Sequence, residues 1–288
     1  LVLDALNAKL RAHGLWYPVD VSTSAQATLG GMAGNNSCGS RSIAYGNMVH
    51  NVLAIDAVTV RGERWRFGSM SDRSGTPEYL EFLGKLNSLY DREKAEISTR
   101  FPKLLRKVAG YNLDHLGPPH ANAAHLLVGS EGTLAWFDQL LLKLSPLPSA
   151  RALGVVHFAK FYTAMDLAQH IVKLGPSAVE LVDRTMIGLA RDIAAFRNTV
   201  DAFIKGAPDA ILLVEFSGEE AAAQQRKLKD LVQLMADLGH PGSVVEITDA
   251  TQQKELWEVR KAGLNIMMSM KGDGKPVSFI EDCAVPLE

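Results

Sequence analysis

Cysteine is nearly absent: Cys38 and Cys283 are the only thiols in 288 residues. That excludes a disulfide framework and leaves too few thiolates for an iron–sulfur cluster, which would have to sit in another segment or partner. An excess of one charge is missing too. With 30 Lys and Arg against 32 Asp and Glu, the formal net charge is −2, too small to gather nucleic acid or an anionic surface, so no nucleic-acid partner is expected. No apolar run reaches the length of a membrane-spanning helix, and no signal peptide opens the chain. The phosphate loop G-x-x-x-x-G-K-[ST], the dinucleotide loop G-x-G-x-x-G and the zinc motif H-E-x-x-H do not occur. The 8 His are scattered without i, i+3 or i, i+4 spacing, so no metal site is expected. What remains, 47% apolar and 22% charged residues, is the composition of a globular protein long enough for two domains.

The rest of the chain is organised around residues 24–55, S-A-Q-A-T-L-G-G-M-A-G-N-N-S-C-G-S-R-S-I-A-Y-G-N-M-V-H-N-V-L-A-I. Gly30, Gly31, Gly34 and Gly39 let the backbone approach another group with no Cβ in the way. Thr28, Asn35, Asn36, Ser37, Ser40 and Ser42 add uncharged donors and acceptors. Amides of such a glycine-rich turn can hold a phosphate without Lys. The β-branched run 51–60 that follows predicts a buried strand, so the expected picture is a polar glycine loop anchored on sheet.

The stretch T-L-G-G-M-A-G-N-N-S-C-G-S-R-S-I-A-Y-G-N-M-V-H-N-V-L resembles the second half of the FAD-binding (PCMH-type) domain of vanillyl-alcohol-oxidase-type flavoproteins. H-L-L-V-G-S-E-G-T-L at 125–134 is similar to that family's second flavin-contacting segment. E-D-C-A-V-P at 281–286 resembles a strand motif of its 2-hydroxy-acid branch, the glycolate and D-lactate dehydrogenases. N-N-S-C-G-S-R-S and the later Y-N-L-D bring the resemblance nearest to the long flavin and iron–sulfur dehydrogenases. The resemblance implies an α+β fold: the second half of a PCMH-type FAD-binding domain over 1–146, then an FAD-linked oxidase C-terminal domain over 147–288 with an antiparallel or mixed sheet. It implies FAD held by Thr28, Leu29, Gly30, Gly31, Gly34, Asn35, Asn36, Cys38, Gly39, Ser40, Tyr45, Gly46, Asn51 and Val52 from the first segment. Gly129, Glu131, Gly132 and Thr133 join them from the second.

The same resemblance implies a small 2-hydroxy acid (D-lactate or glycolate-like) as substrate and an iron–sulfur domain or quinone as electron acceptor. Location in the cytoplasm is expected, with a peripheral place at the inner membrane as the alternative. The chain opens at Leu1 and stops at Glu288, without the first diphosphate loop and before the His-containing metal motif of that family. It therefore reads as an internal piece that holds FAD weakly or not at all and does not turn over alone.

Along the chain, helices are expected over 1–10, 78–100 and 101–110, a hairpin around Gly62, strands over 126–128 and 140–144, and a connector at the prolines of 145–149. Trp16 and Tyr17 read as core rather than as flavin-stacking rings. The second half alternates: strands over 153–158, 178–182, 210–216, 243–247 and 277–285, helices over 163–174, 185–191, 218–238 and 250–270.

Several residues carry two readings. Tyr111 and Asn112 line a pocket or form a capped turn, with His115 and His120 on the side of the turn. Ser130 meets a cofactor or caps a helix. Cys38 is a packed thiol rather than a redox group. Arg260, four residues beyond Leu256 on a helix, needs a carboxylate partner: Glu281, Asp282 or a bound acid. In the 2-hydroxy-acid branch the Arg of L-W-x-x-R looks like the substrate-carboxylate clamp, which makes Arg260 the one candidate catalytic residue. Two other functions stay open, an FAD-dependent alcohol or aldehyde oxidase and a scaffold that has lost its flavin.

Overall fold

A computed structural model describes residues 1–288 except 105, 109, 269, 271, 275–283 and 286–288, and for residue 264 the backbone alone. The chain divides into two compact units, Leu1–Leu147 and Pro148–Glu288.

In the first unit α1 (Leu3–Leu10) places Leu3 in the core and ends through a single 3-10 turn at Gly14, whose φ of 66° is the left-handed value glycine tolerates. Strand β1 (Leu15–Trp16) follows, then Tyr17, fully buried with its hydroxyl 3.1 Å from Met48 Sδ. Both aromatic rings of this segment are core, as the sequence predicts.

Residues 24–51 are not one continuous loop but three short helices joined by turns. Helix α2 (Leu29–Asn35) runs through the glycines, with α3 (Ser42–Tyr45) and α4 (Met48–Asn51) behind it. Thr28 caps α2 by accepting from Gly31 N at 3.2 Å, and Leu29, Met32 and Ala33, spaced three and four apart, pin one side to the core. Local capping and three apolar anchors outweigh the low helix propensity of the glycines.

The predicted strand and hairpin form as β2 (Val52–Thr59) and β3 (Arg64–Phe67), antiparallel, with α5 (Pro77–Arg100) following behind a Thr76 cap. The helix expected over 101–110 is absent from the described residues of that range. Phe101 is extended (ψ 130°) because a residue before proline is pushed out of the helical region, so Pro102 ends α5 instead of starting a new helix. The strand expected at 126–128 is a helical turn, α6 (Ala124–Leu127), leading into extended Val128. Strand β4 (Ala135–Leu142) starts earlier than expected and completes the sheet β3-β2-β4, and β5 (Ser145–Pro146) pairs with β1.

The second unit is built on β6 (Ala150–Phe158), with α7 (Phe161–Ile171), β7 (Ala178–Asp183), α8 (Arg184–Asp192), α9 (Ala194–Phe203), β8 (Ala210–Gly218), α10 (Ala221–Asp237), β9 (Val244–Ile247), α11 (Ala250–Lys261) and α12 (Gly263–Met268). The strand order is β7-β8-β6-β9, antiparallel throughout. Side-chain alternation sorts the two core clusters. Leu153, Val155, Ile211 and Leu213 face α8, α9, α11 and α12, while Ala152, Val156, Leu212, Val214 and Phe216 face α7 and α10. Burial on both faces explains the unbroken apolar run of β8.

Helix α9 is an addition to the sequence reading, and the single helix expected over 250–270 breaks at Ala262. A Cβ on Gly263 would lie 3.0 Å from Met186 Cε, so glycine lets α12 close on α8. The strand expected over 277–285, with Glu281 and Asp282, lies almost wholly outside the described residues.

Candidate functional site

The two segments singled out in the sequence meet. Gly129 N donates to Ala33 O at 2.9 Å and Glu131 N to Gly34 O at 3.0 Å, so the turn after α6 is hydrogen-bonded onto the C-terminal end of α2. Asn35 Nδ2 then reaches Glu131 Oε1 at 3.0 Å. Tyr111 Oη and Thr133 Oγ1, 2.8 Å apart, tie the 111–116 segment to the same turn.

The glycines divide by what surrounds them. A Cβ on Gly30, Gly34 or Gly132 would meet nothing within 4 Å. Gly30 and Gly34 lie inside α2 without a left-handed φ, where alanine would favour the fold by about 0.5–1 kcal/mol each. Folding alone gives no reason for glycine there; close approach of a ligand does. Gly39, Gly46 and Gly129 have internal reasons. A Cβ on Gly39 would lie 2.2 Å from Asp20 Oδ1, and Asp20 also receives Arg41 N at 3.1 Å and Arg41 Nη1 at 2.6 Å. Burial raises the Asp20 pKa against the pull of Arg41. Gly46 (φ 72°) backs onto the His50 ring, and Gly129 (φ 83°) onto Asn36 Cβ at 3.3 Å.

Thr28, Gly30, Gly31, Asn35, Glu131, Gly132 and Thr133 are therefore exposed, with Gly34 half-buried among them. The other sequence candidates are engaged inside the fold. Leu29 is core; Asn36 is buried, with Oδ1 accepting from Val49 N at 3.0 Å. Asn51 Nδ2 donates to Tyr45 O at 2.8 Å and Asn47 O at 2.9 Å, and the Tyr45 ring sits edge-on to Trp16. Cys38 and Ser40 are half-buried in the turn between α2 and α3. Ser130 caps no helix, since α6 precedes it; its Oγ is buried without a hydrogen-bond partner among the described residues. Asn112 takes the capping role, donating to His125 O at 3.2 Å and Val128 O at 2.8 Å.

Four of the histidines, scattered in sequence, gather in space. His125 Nε2 lies 3.1 Å from Val52 O, and since a carbonyl only accepts, that nitrogen carries the proton. His125 Nδ1 is then bare and accepts from His115 Nδ1 at 3.2 Å. His120 stacks on His115 at 4.1 Å, and His50 meets His115 edge-on at 5.7 Å. Burial lowers all three perturbed members, His115 to about 3, His125 to about 4, and His50 in the same direction, with neighbouring cations adding to the effect. Spacings of five residues (115, 120, 125) were the signal the i, i+3 and i, i+4 search passed over. No group of three metal-ligating side chains able to hold an ion occurs among the described residues.

In the second unit Arg260 finds Glu180, its Nε 2.9 Å and its Nη2 2.5 Å from Oε2. Glu180 lies opposite Leu213 in the β7–β8 register, hence on the face that α11 covers. The cavity beside Arg260, lined by Val182, Met186, Leu213 and Leu256, has a volume of about 20 Å³, room for one water.

Comparison with known proteins defines the class first. Residues 1–68 match the family described as "FAD binding domain" and residues 147–288 the family described as "FAD linked oxidases, C-terminal domain". In both units the chain is thus similar to FAD-linked proteins of the vanillyl-alcohol-oxidase superfamily.

Its relatives narrow this. It is 30% identical to D-2-hydroxyglutarate dehydrogenase of Escherichia coli and 31% identical to that of Pseudomonas putida, in each case over 100% of this chain and 30% of the relative. D-lactate dehydrogenase [cytochrome], mitochondrial, of Arabidopsis thaliana is 26% identical over 98% of the chain and 40% of its own length. The chain thus spans less than a third of its D-2-hydroxyglutarate dehydrogenase relatives. Alkyldihydroxyacetonephosphate synthase shares the fold, with a TM-score of 0.60 at 17% identity over 93% of this chain and 41% of that one.

The exposed face fits FAD: glycines with open space at their α-carbons, hydroxyl and amide donors, and one carboxylate suited to a ribose hydroxyl.

Proposed function

We propose that the intact protein is an FAD-dependent dehydrogenase of a small D-2-hydroxy acid, with D-2-hydroxyglutarate the first substrate to test and D-lactate and glycolate the next. The observation that carries the reading is the joining of α2 to the 129–133 turn beneath an open glycine face. Thr28, Gly30, Gly31, Gly34, Asn35, Glu131, Gly132 and Thr133 would hold FAD, which when bound supplies a two-electron acceptor for the C2 carbon of the acid. The contribution of this chain to the chemistry is orientation, which supplies much of the rate of such reactions. Arg260 would clamp the acid's carboxylate by a bidentate, charge-assisted pair. The water-sized cavity beside it cannot admit the acid, so the carboxylate meets the guanidinium outside the core. Electrons then pass to an iron–sulfur domain or a quinone.

Adding each acid without oxygen to the purified, flavin-loaded intact protein tests this. Bleaching of the visible flavin bands by a 2-hydroxy acid is the expected result. Bleaching only by simple alcohols or aldehydes would assign the protein to another branch of the superfamily, and a purified protein with no flavin at all would favour a scaffold.

A further inference from the structure

Arginine at an acid-binding position must present its fork, not merely its charge. On a long side chain that fork is poorly defined unless another group holds it. Here both contacts from Glu180 fall on one edge of the guanidinium, Nε at 2.9 Å and Nη2 at 2.5 Å, and both use the single oxygen Oε2. The remaining donors, on Nη1 and the outer side of Nη2, form the end of the fork, the geometry a second carboxylate takes. The Nη1 side of that end faces Gly263, where an added Cβ would lie 3.5 Å away, at ordinary contact distance.

The pair is partly desolvated, with side chains 35% and 18% exposed, a depth at which Coulomb gain and desolvation nearly cancel. It therefore adds little to the stability of the fold. What it does supply is a fixed orientation.

We propose that Glu180 is the positioning residue of the acid-binding site, gripping the Nε/Nη2 edge of Arg260 so that the Nη1/Nη2 end receives the substrate's carboxylate. This rests on the reading of Arg260 as the clamp. Because one oxygen does the holding, an uncharged amide can replace it. The negative charge of Glu180 is incidental and even opposes an incoming anion.

The test uses the intact, flavin-loaded protein and four variants, with KM and kcat for D-2-hydroxyglutarate, the dissociation constant of the unreactive dianion oxalate, flavin content and Tm for each. Glu180→Ala raises KM and weakens oxalate by about 10-fold or more while flavin content holds. Glu180→Asp, which keeps the charge and withdraws the oxygen by one methylene, does the same and serves if the alanine variant does not fold. Glu180→Gln restores wild-type or tighter binding. Unchanged or tighter binding in both Ala and Asp variants, or failure of Gln to rescue, overturns the proposal. Arg260→Lys separates the two levels. If it leaves KM and oxalate binding unchanged, the clamp itself is wrong; if it weakens both while Glu180→Ala does not, only the positioning role falls.

Discussion

Glycine is chosen for opposite reasons at neighbouring positions of the first segment. Gly30 and Gly34 sit in helical backbone with open space about them, while Gly39 is pressed against Asp20. Replacing Gly30 or Gly34 by Ala should stabilise the flavin-free protein by about 0.5–1 kcal/mol, seen as a higher Tm. The same change should weaken FAD binding, since an added methyl at a contact surface costs about 1–3 kcal/mol. Gly39→Ala should lower Tm by a similar free energy whether or not flavin is present. If Gly30→Ala and Gly39→Ala behave alike, the division into ligand-facing and fold-required glycines is wrong. Residue identity alone could not make that division, because nothing local distinguishes Gly34 from Gly39; the difference is Asp20, 19 residues upstream of Gly39.

At the level of elements, α6 and the turn behind it are held by the neutral His115–His125 pair and the His125–Val52 bond. Lys107, Asp114, Lys143, His50 and His120 are the charged and titratable groups acting on the cluster, and desolvation dominates them. The folded-state values lie below the ordinary 6.5, so the unfolded chain binds more protons between about pH 3 and 6.5. Stability should be complete above that window and fall progressively as pH drops through it, which thermal melts at a series of pH values would record. Protonating His125 also sets an N–H against the N–H of His115. His125→Ala, by leaving Val52 O short of its donor, should cost about 1–3 kcal/mol and flatten the acid limb. A His125→Ala protein with an unaltered acid limb would place the pH dependence elsewhere.

Much of this scale was legible in advance. The β2–β3 hairpin, α5 and the strand–helix alternation of the second unit followed from apolar period and turn residues. The misses share one cause. Local reading gives a loop for the glycine stretch and a strand for 126–128, where a Thr28 cap and core anchors at 29, 32 and 33, or a single turn braced by Asn112, decide otherwise. The helix expected over 101–110 overlooked what Pro102 does to Phe101. The histidine cluster was invisible because its contacts cross between segments.

For the molecule as a whole, the account requires that α2 and the 129–133 turn act as one surface, although about 95 residues separate them. Their backbone bonds join them within the first unit, whatever further segments the intact protein contributes. Hydrogen–deuterium exchange on the intact protein, with FAD bound and after flavin removal, tests that requirement most directly. Flavin should protect residues 28–36 and 129–133 together. Protection confined to one of the two segments, or falling on neither, would contradict it.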